Sequence, residues 1–389
     1  MTSTSAGLSR HAKKRNVLIP MGGSLNSNRR LFEFAASNLF DDVDNVFVFH
    51  YERKHNPSDP TPATQRQGFQ IVNIDKPLDT PPDSSEAEDH GSKAAEADWL
   101  PRAVSDALRK QRRACPSATC IVFKIDGSAN IDSAEEAVIE ICKGTFQSTS
   151  SMFPDHMAIP KPDIVCVGAR GRGILKRFMM GSVSNAVASR AECSVCVFRD
   201  SLPATDPTEA ATLRYQFRDS GPEAGEQRAI CIALGGSDAS VVVVKWVVET
   251  LLRPTDRVVL LHCEDNKKSE RRGLTKELIG ANMRKCEEIL REHAAKHPDP
   301  AGQEYCIIEE EGESSVDIRD RLLDFIQNKT DVNLLVLGKS NRTAGIRSIL
   351  LGSVPRYVLN HGKCPVLVVN PPGEPAPKGS EGNNSQAAA

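Results

Sequence analysis

The chain repeats itself, and that duplication limits its fold more than any single motif does. NVLIPMGGSLNSNRRLFEFAASNLF (16–40) matches RAICIALGGSDASVVVVKWVVETLL (228–252): each passes from a short apolar run through Gly-Gly-Ser into an amphipathic stretch. NVFVFHYE (45–52) and RVVLLHCE (257–264) follow, with His50 and His262 at the ends of their apolar runs. DIVCVGARG (163–171) then matches NLLVLGKSN (333–341), and CSVCVFRD (193–200) matches CPVLVVNP (364–371), with a Gly-Ser step inside each interval. The pieces come in the same order both times, so a whole domain is duplicated rather than a short solenoid unit.

Each copy reads as β-α-β-α-β-α-β-α-β. The strands are nearly unbroken runs of Val, Ile, Leu and Cys, the pattern of a parallel sheet covered on both faces, and the expected class is α/β. TCIVFKID (119–126) and EYCIIEEE (304–311) are the third strands, and helices are expected over 99–114, 274–297 and 317–328. Val241 to Val244 alone would suggest a strand, but the matching part of copy one is helical, so a helix is expected. Ser237 is placed as its N-cap, with Asp238 favourable in the first turn.

The expected organisation is a disordered tail over 1–14, a first domain over 15–200, a polar linker over 201–227, a second domain over 228–371 and a disordered tail over 372–389. Copy one carries an insertion at about 55–94, rich in Pro, Ser and Asp, expected to be disordered or a long exposed loop. A smaller insertion covers about 146–162.

Charges nearly cancel (49 Lys and Arg against 51 Asp and Glu), so nothing calls for a nucleic-acid or membrane partner. No apolar run approaches the ~20 residues of a membrane helix. The N-terminus, MTSTSAGLSRHAKKRN, lacks the apolar core of a secretory signal. It is read as a disordered polar tail, the alternative being an organelle transit peptide. Eleven cysteines, scattered through the apolar runs, suit reduced thiols packed as small hydrophobes, and the expected location is cytoplasmic. Cys193 and Cys196 form a CxxC, but three apart on a strand they face opposite ways, so metal or redox chemistry within it is not expected.

GARGRGILKRFMMGS (168–182) is the stretch that points to a ligand. Gly168 at a strand end lets backbone approach a ligand with no Cβ in the way, and Gly171 can take positive φ in a tight turn. Gly181 and Ser182 sit where a helix begins, so unpaired N–H groups and the helix dipole favour an anion. The Ser182 hydroxyl can cap that helix or reach a phosphate. Arg170, Arg172, Lys176 and Arg177 add positive potential, with a solvated basic face as the alternative for at least half of them. Gly-x-Gly-x-x-Gly is absent, as is a P-loop: Gly338-Lys339-Ser340 lacks the earlier glycine. No nucleophile-base-orienter constellation is evident, and the chain is read as more plausibly a non-enzyme, with slow ATP hydrolysis as an alternative.

Gly168-x-x-Gly171, nine residues, then Gly181-Ser182, in the context of strand, loop and helix, resembles the nucleotide-binding signature of the universal stress protein family. The resemblance extends over both copies. It implies two tandem Rossmann-like (adenine nucleotide alpha hydrolase-like) domains, each a five-stranded parallel sheet of order 3-2-1-4-5. Family dimers pair through the last strand, so 193–199 and 364–370 are expected to pair within this chain as a pseudo-dimer, with a homodimer as a further possibility. The family further implies a ligand, ATP or another adenine nucleotide with or without Mg2+, a stress-response role and protein partners. Carried over by position, the nucleotide contacts in copy one are Pro20, Met21, Gly22, Tyr51, Val167, Gly168, Gly171, Gly181, Ser182 and Val183. A weaker second site would use Gly235, Cys263, Gly338, Asn341, Gly352 and Ser353.

Two departures set expectations. The family's Asp at the end of the first strand is glycine in both copies, Gly22 and Gly235. LGGSDAS (234–240) partly resembles the loop of ATP pyrophosphatases, but Leu234 and Ala239 break that pattern. In copy two, Asn341 replaces the second glycine and ten residues precede Gly352. Copy two is therefore read as degenerate, either weakly binding or a structural partner. The opposing reading of the whole chain is a scaffold of the same fold that recruits protein partners without nucleotide.

Overall fold

The computed structural model describes residues 14–21, 25–40, 44–52, 69–72, 119–126, 133–144, 159–169, 180–199, 228–253, 255–263, 275–296, 305–310, 317–329, 332–339 and 351–370. The helix expected over 99–114, the 201–227 linker, both tails, and Gly22, Gly171 and Asn341 lie outside the described residues.

The first half contributes β1 (Asn16–Met21), α1 (Leu25–Asn38), β2 (Asn45–Glu52), β3 (Phe69–Val72), β4 (Thr119–Asp126), α2 (Ala134–Lys143), β5 (Ile164–Gly168), α3 (Ser182–Arg190) and β6 (Ser194–Phe198). The second contributes β7 (Ala229–Leu234), α4 (Asp238–Thr250), β8 (Arg257–Cys263), α5 (Lys276–Lys296), β9 (Tyr305–Glu310), α6 (Ile318–Asp324), β10 (Leu334–Gly338), α7 (Ser353–His361) and β11 (Val366–Val369). A π-helical turn, Phe325–Lys329, extends α6. The widened turn buries Phe325 and Ile326 directly after Leu322 and Leu323.

The eleven strands of the described residues form one sheet, in the order β3-β4-β2-β1-β5-β6-β11-β10-β7-β8-β9. β3 apart, each half has five strands in the order 3-2-1-4-5, all paired in parallel. The halves join where β6 meets β11 antiparallel, Cys196 opposite Leu367. β3 corrects the expectation of disorder or loop throughout 55–94: its FQIV pairs antiparallel along β4 and covers an edge that would otherwise present unpaired backbone.

Strand residues alternate between two cores, because successive side chains point to opposite faces. Val17 and Ile19 belong to one core, which residues of α1, α4 and α5 complete; Leu18, Val165 and Val197 belong to the other, which residues of α2, α3, α6 and α7 complete. The Val241–Val244 stretch is helical as expected, since Ser240, Val243, Val244 and Val247 fall on one helical stripe and are buried. Ser237 stands at its N-cap in extended conformation, but its side chain makes no capping hydrogen bond. Cys193 and Cys196 face opposite cores, as their spacing requires.

A pair of buried arginines ties the halves together. Arg15 Nε donates to Asp44 Oδ1 at 2.9 Å and Nη2 to Leu39 O at 2.8 Å, while Nη1 crosses to Thr250 O at the end of α4. Arg228 repeats this: Nε to Asp256 Oδ1 at 2.9 Å, Nη2 to Leu251 O at 2.8 Å, and Nη1 to Asn38 O at the end of α1. Each guanidinium thus serves the orphan carbonyls of two helix ends, one from each half. Phe34 of α1 stacks on Phe198 at 5.0 Å between ring centres.

Candidate functional site

The carboxyl ends of the first half's strands converge. Met21 is level with His50, Gly168 is level with Phe198, and continuing the β1–β5 register brings Met21 beside Gly168. This places Pro20, Met21, Tyr51, Val167 and Gly168 at one end of the sheet, the usual ligand end of an open α/β fold. The side chains are unequally placed. Val167 is 2% exposed and Met21 is buried, so both pack in the cores. Pro20 and Gly168 are half-buried.

α3 begins beside that end. Gly181, in extended conformation (φ −64°, ψ 160°), is its N-cap, and Asn185 N to Gly181 O at 2.9 Å closes the first helical turn. The N–H groups of Ser182, Val183 and Ser184 therefore have no carbonyl within the helix. Ser182 is the first helical residue and is exposed, so it does not cap α3. Val183 is half-buried against the core. There is no acidic residue in the first turn of α3, and Arg190 stands in its last. The positive end of the dipole is left uncompensated by side chains of that turn.

A residue that the signature did not bring forward joins helix to strand: Ser184 Oγ donates to Gly168 O at 2.7 Å. Its place three residues beyond an N-cap was the available signal. Among the described residues a Cβ on Gly168 would approach only Leu31 Cδ2, at 3.9 Å, so their packing does not demand the glycine.

The second half repeats the frame and changes the contents. Gly352 is the N-cap of α7 (φ −61°, ψ 162°), Ser353 is its first residue, and Arg356 N to Gly352 O at 3.0 Å closes the first turn. Pro355 stands where Ser184 stands in the first half, so one free N–H is gone and that position offers no hydroxyl to the strand end. A Cβ on Gly338 would lie 2.9 Å from Val243 Cγ2, so this glycine is needed by the protein's own packing. Gly235 is the reverse case, since a Cβ there would meet nothing within 4 Å. Cys263 is buried at the end of β8.

His262 acts structurally: its ring Nδ1 lies 2.9 Å from Leu234 O. Lys339, which follows Gly338, turns into the joint between the halves, where Nζ donates to Ala191 O at the end of α3 at 3.0 Å. Burial pulls its pKa down from the ordinary lysine value, with Cys193 and Glu192 pulling the other way. Arg199 correspondingly donates to Leu359 O in the last turn of α7. The two helices with glycine-led N-termini thus each receive a buried cation from the opposite half at their C-terminal ends. Among the described residues no group of three or more His, Cys, Asp or Glu could hold a metal ion, and no helix is long and apolar enough to cross a membrane.

Comparison with known proteins gives a consistent result. The sequence profile of the universal stress protein family matches residues 78–199 and 227–370. A universal stress protein of Mycobacterium tuberculosis (H37Rv) is 27% identical over 213 residues, covering 53% of this chain and 61% of that protein. One from Mycobacterium bovis matches to the same extent. Among solved structures, a universal stress protein from Archaeoglobus fulgidus is 14% identical with a TM-score of 0.49, covering 92% of this chain and 98% of that one. A universal stress protein solved in complex with cAMP is 19% identical with a TM-score of 0.25, over 38% of this chain and 98% of that one. With one profile matched twice, once in each half of a sheet of order 3-2-1-4-5, the chain belongs to the universal stress protein family.

Proposed function

We propose that this chain is a stress-response or signalling protein that binds ATP or a related adenine nucleotide in its first half, with the second half serving as a built-in dimer partner. The observation that carries the reading is the contrast between two equivalent strand-to-helix junctions. At the first, the backbone N–H groups of three residues, Ser182, Val183 and Ser184, begin a helix with no acidic residue in its first turn, beside a glycine that the packing of the described residues does not require. That is the chemistry of a polyphosphate cradle. At the second, Pro355 deletes one of the three donors, Val243 fills the space at Gly338, and Lys339 is committed to the joint. Gly171 and the basic residues at 170–177 would complete the cradle in the first half.

The second reading, a scaffold that recruits protein partners without nucleotide, is favoured by glycine at 22 and 235 in place of an acceptor carboxylate. Calorimetric titration of nucleotide-stripped protein with ATP, ADP and AMP, with and without magnesium, separates the two. Gly181→Val is expected to abolish binding and Gly352→Val to leave it intact. Absence of binding by the unaltered chain would establish the scaffold reading, and hydrolysis of the bound nucleotide would add a slow ATPase.

A further inference from the structure

α3 is fastened at both ends, and the fasteners come from different halves. At its start, Ser184 Oγ donates to Gly168 O of its own half at 2.7 Å. At its finish the second half supplies three bonds: Lys339 Nζ to Ala191 O at 3.0 Å, Asn370 Nδ2 to Glu192 O at 2.7 Å, and Asn370 N to Ser194 Oγ at 3.2 Å. Ala191 is the C-cap of α3; it is 1% exposed and Lys339 is 6% exposed, so their bond is made out of reach of bulk water. The main chain of the lysine is held as well, since Lys339 N donates to Val369 O at 2.8 Å.

The reach between junctions runs one way. Gly338 is level with Val369 as Gly168 is level with Phe198, so Lys339 corresponds to Ala169 and Asn370 to Arg199. The cation at the end of α7 is Arg199, which follows the last strand of the first half. The cation at the end of α3 is Lys339, which follows Gly338 and opens the second half's own strand-to-helix junction. At the equivalent place in the first half, Ala169 has no group to extend to α7. The helix that the junction lysine holds is the one whose first turn keeps its N–H groups, and the opposite helix is the one that carries Pro355.

A nine-residue helix is about 14 Å long and moves as one rod. A cation at its C-terminal end supports the dipole that its N-terminal N–H groups present to an anion. Without the lysine, a buried carbonyl loses its donor, and the helix end must shift to find another. Rigid elements of this kind carry coupling between distant sites.

We propose that Lys339 is a positioning residue for the nucleotide junction of the opposite half. By holding the C-terminal end of α3 it fixes the aim of the N–H groups of Ser182, Val183 and Ser184, so that the second half sets the affinity of the first for a polyphosphate. The inference rests on the reading of that junction as the nucleotide site. It gives the lysine of Gly338-Lys339-Ser340 a task other than touching phosphate, and it makes the first half's site incomplete without the second.

The test titrates the full chain, stripped of nucleotide, with ATP by calorimetry, at a temperature where urea melts show each variant to be fully folded. Lys339→Met keeps the length of the side chain and removes its charge and donors; it is expected to raise the Kd at least about 5-fold. Asn370→Ala should raise it less, and Lys339→Arg, which keeps charge and donors, should retain most of the affinity. Arg199→Met is the control, because it loosens the same joint at α7 and should leave the Kd unchanged. Equal losses of affinity in Lys339→Met and Arg199→Met would make the lysine a part of the joint only and overturn the proposal. Wild-type affinity in Lys339→Met would overturn it too, and either result leaves the nucleotide reading standing. No binding by wild type overturns both. Where Lys339→Met does not fold, Asn370→Ala decides by the same comparison with Arg199→Met.

Discussion

Gly168→Ala and Gly338→Ala change the same position of the repeat and should have opposite consequences. At Gly338 the new Cβ lies 2.9 Å from Val243 Cγ2. Val243 is buried in the middle of α4, and its branched side chain is stiff at χ1 in a helix, so the clash must be relieved by moving α4 against the sheet. Overpacking of this kind costs about 1–3 kcal/mol. At Gly168 the new Cβ is 3.9 Å from Leu31 Cδ2, an ordinary contact. There the smaller conformational freedom of the unfolded chain should raise stability by about 0.4–1 kcal/mol. Urea denaturation followed by circular dichroism reads both. In nucleotide titrations the order should invert: Gly168→Ala loses affinity, roughly 10-fold for each 1.4 kcal/mol of lost close approach, while Gly338→Ala retains it. Val243→Ala combined with Gly338→Ala should recover part of the stability lost to the clash. Equal destabilisation by the two alanines, or a neutral Gly338→Ala, would refute the packing argument. Unchanged nucleotide affinity in Gly168→Ala would refute the assignment of that space to ligand.

Arg228→Met should cost about 3 kcal/mol, the low end for breaking a buried ion pair, because Asp256 Oδ2 still accepts from Arg253 N at 2.7 Å; urea melts of this variant and of Arg15→Met check it. Ser184→Ala removes the 2.7 Å bond to Gly168 O and should lower stability by about 1 kcal/mol, and, if the helix start follows the ligand, weaken nucleotide binding as well. Burial depresses Lys339 below its usual 10.5, so the unfolded chain holds that proton more tightly. Its contribution to stability should therefore increase as pH rises towards 10.5 and be fully present above it, and the difference between wild type and Lys339→Met, measured from pH 7 to 10, should show this slope. A protease site introduced between residues 201 and 227 should, once cut, leave two fragments that co-elute, held by the β6–β11 pairing and the crossed arginines.

Much of this architecture is written locally. Unbroken apolar runs declare doubly covered strands, and the spacing of Ser240, Val243, Val244 and Val247 declares a helix in spite of four consecutive valines. The duplication declares two equivalent halves. These signals are carried by residues close together in the chain, where periodicity is enough. The Gly-x-x-Gly and Gly-Ser steps located the strand-to-helix junctions for the same reason.

What the chain could not disclose by pattern are meetings between distant residues. Nothing in FQIV announces that it will cover the edge of β4, and a lone Arg15 or Arg228 among charged neighbours does not announce a buried guanidinium shared by two helix ends. Gly168 and Gly338 are the same letter in the same motif. Whether each is empty space for a ligand or room for Val243 depends on how closely α1 and α4 sit on their strands. Periodicity determines which face of an element is buried; only the closure of the sheet and its helices determines what that face meets.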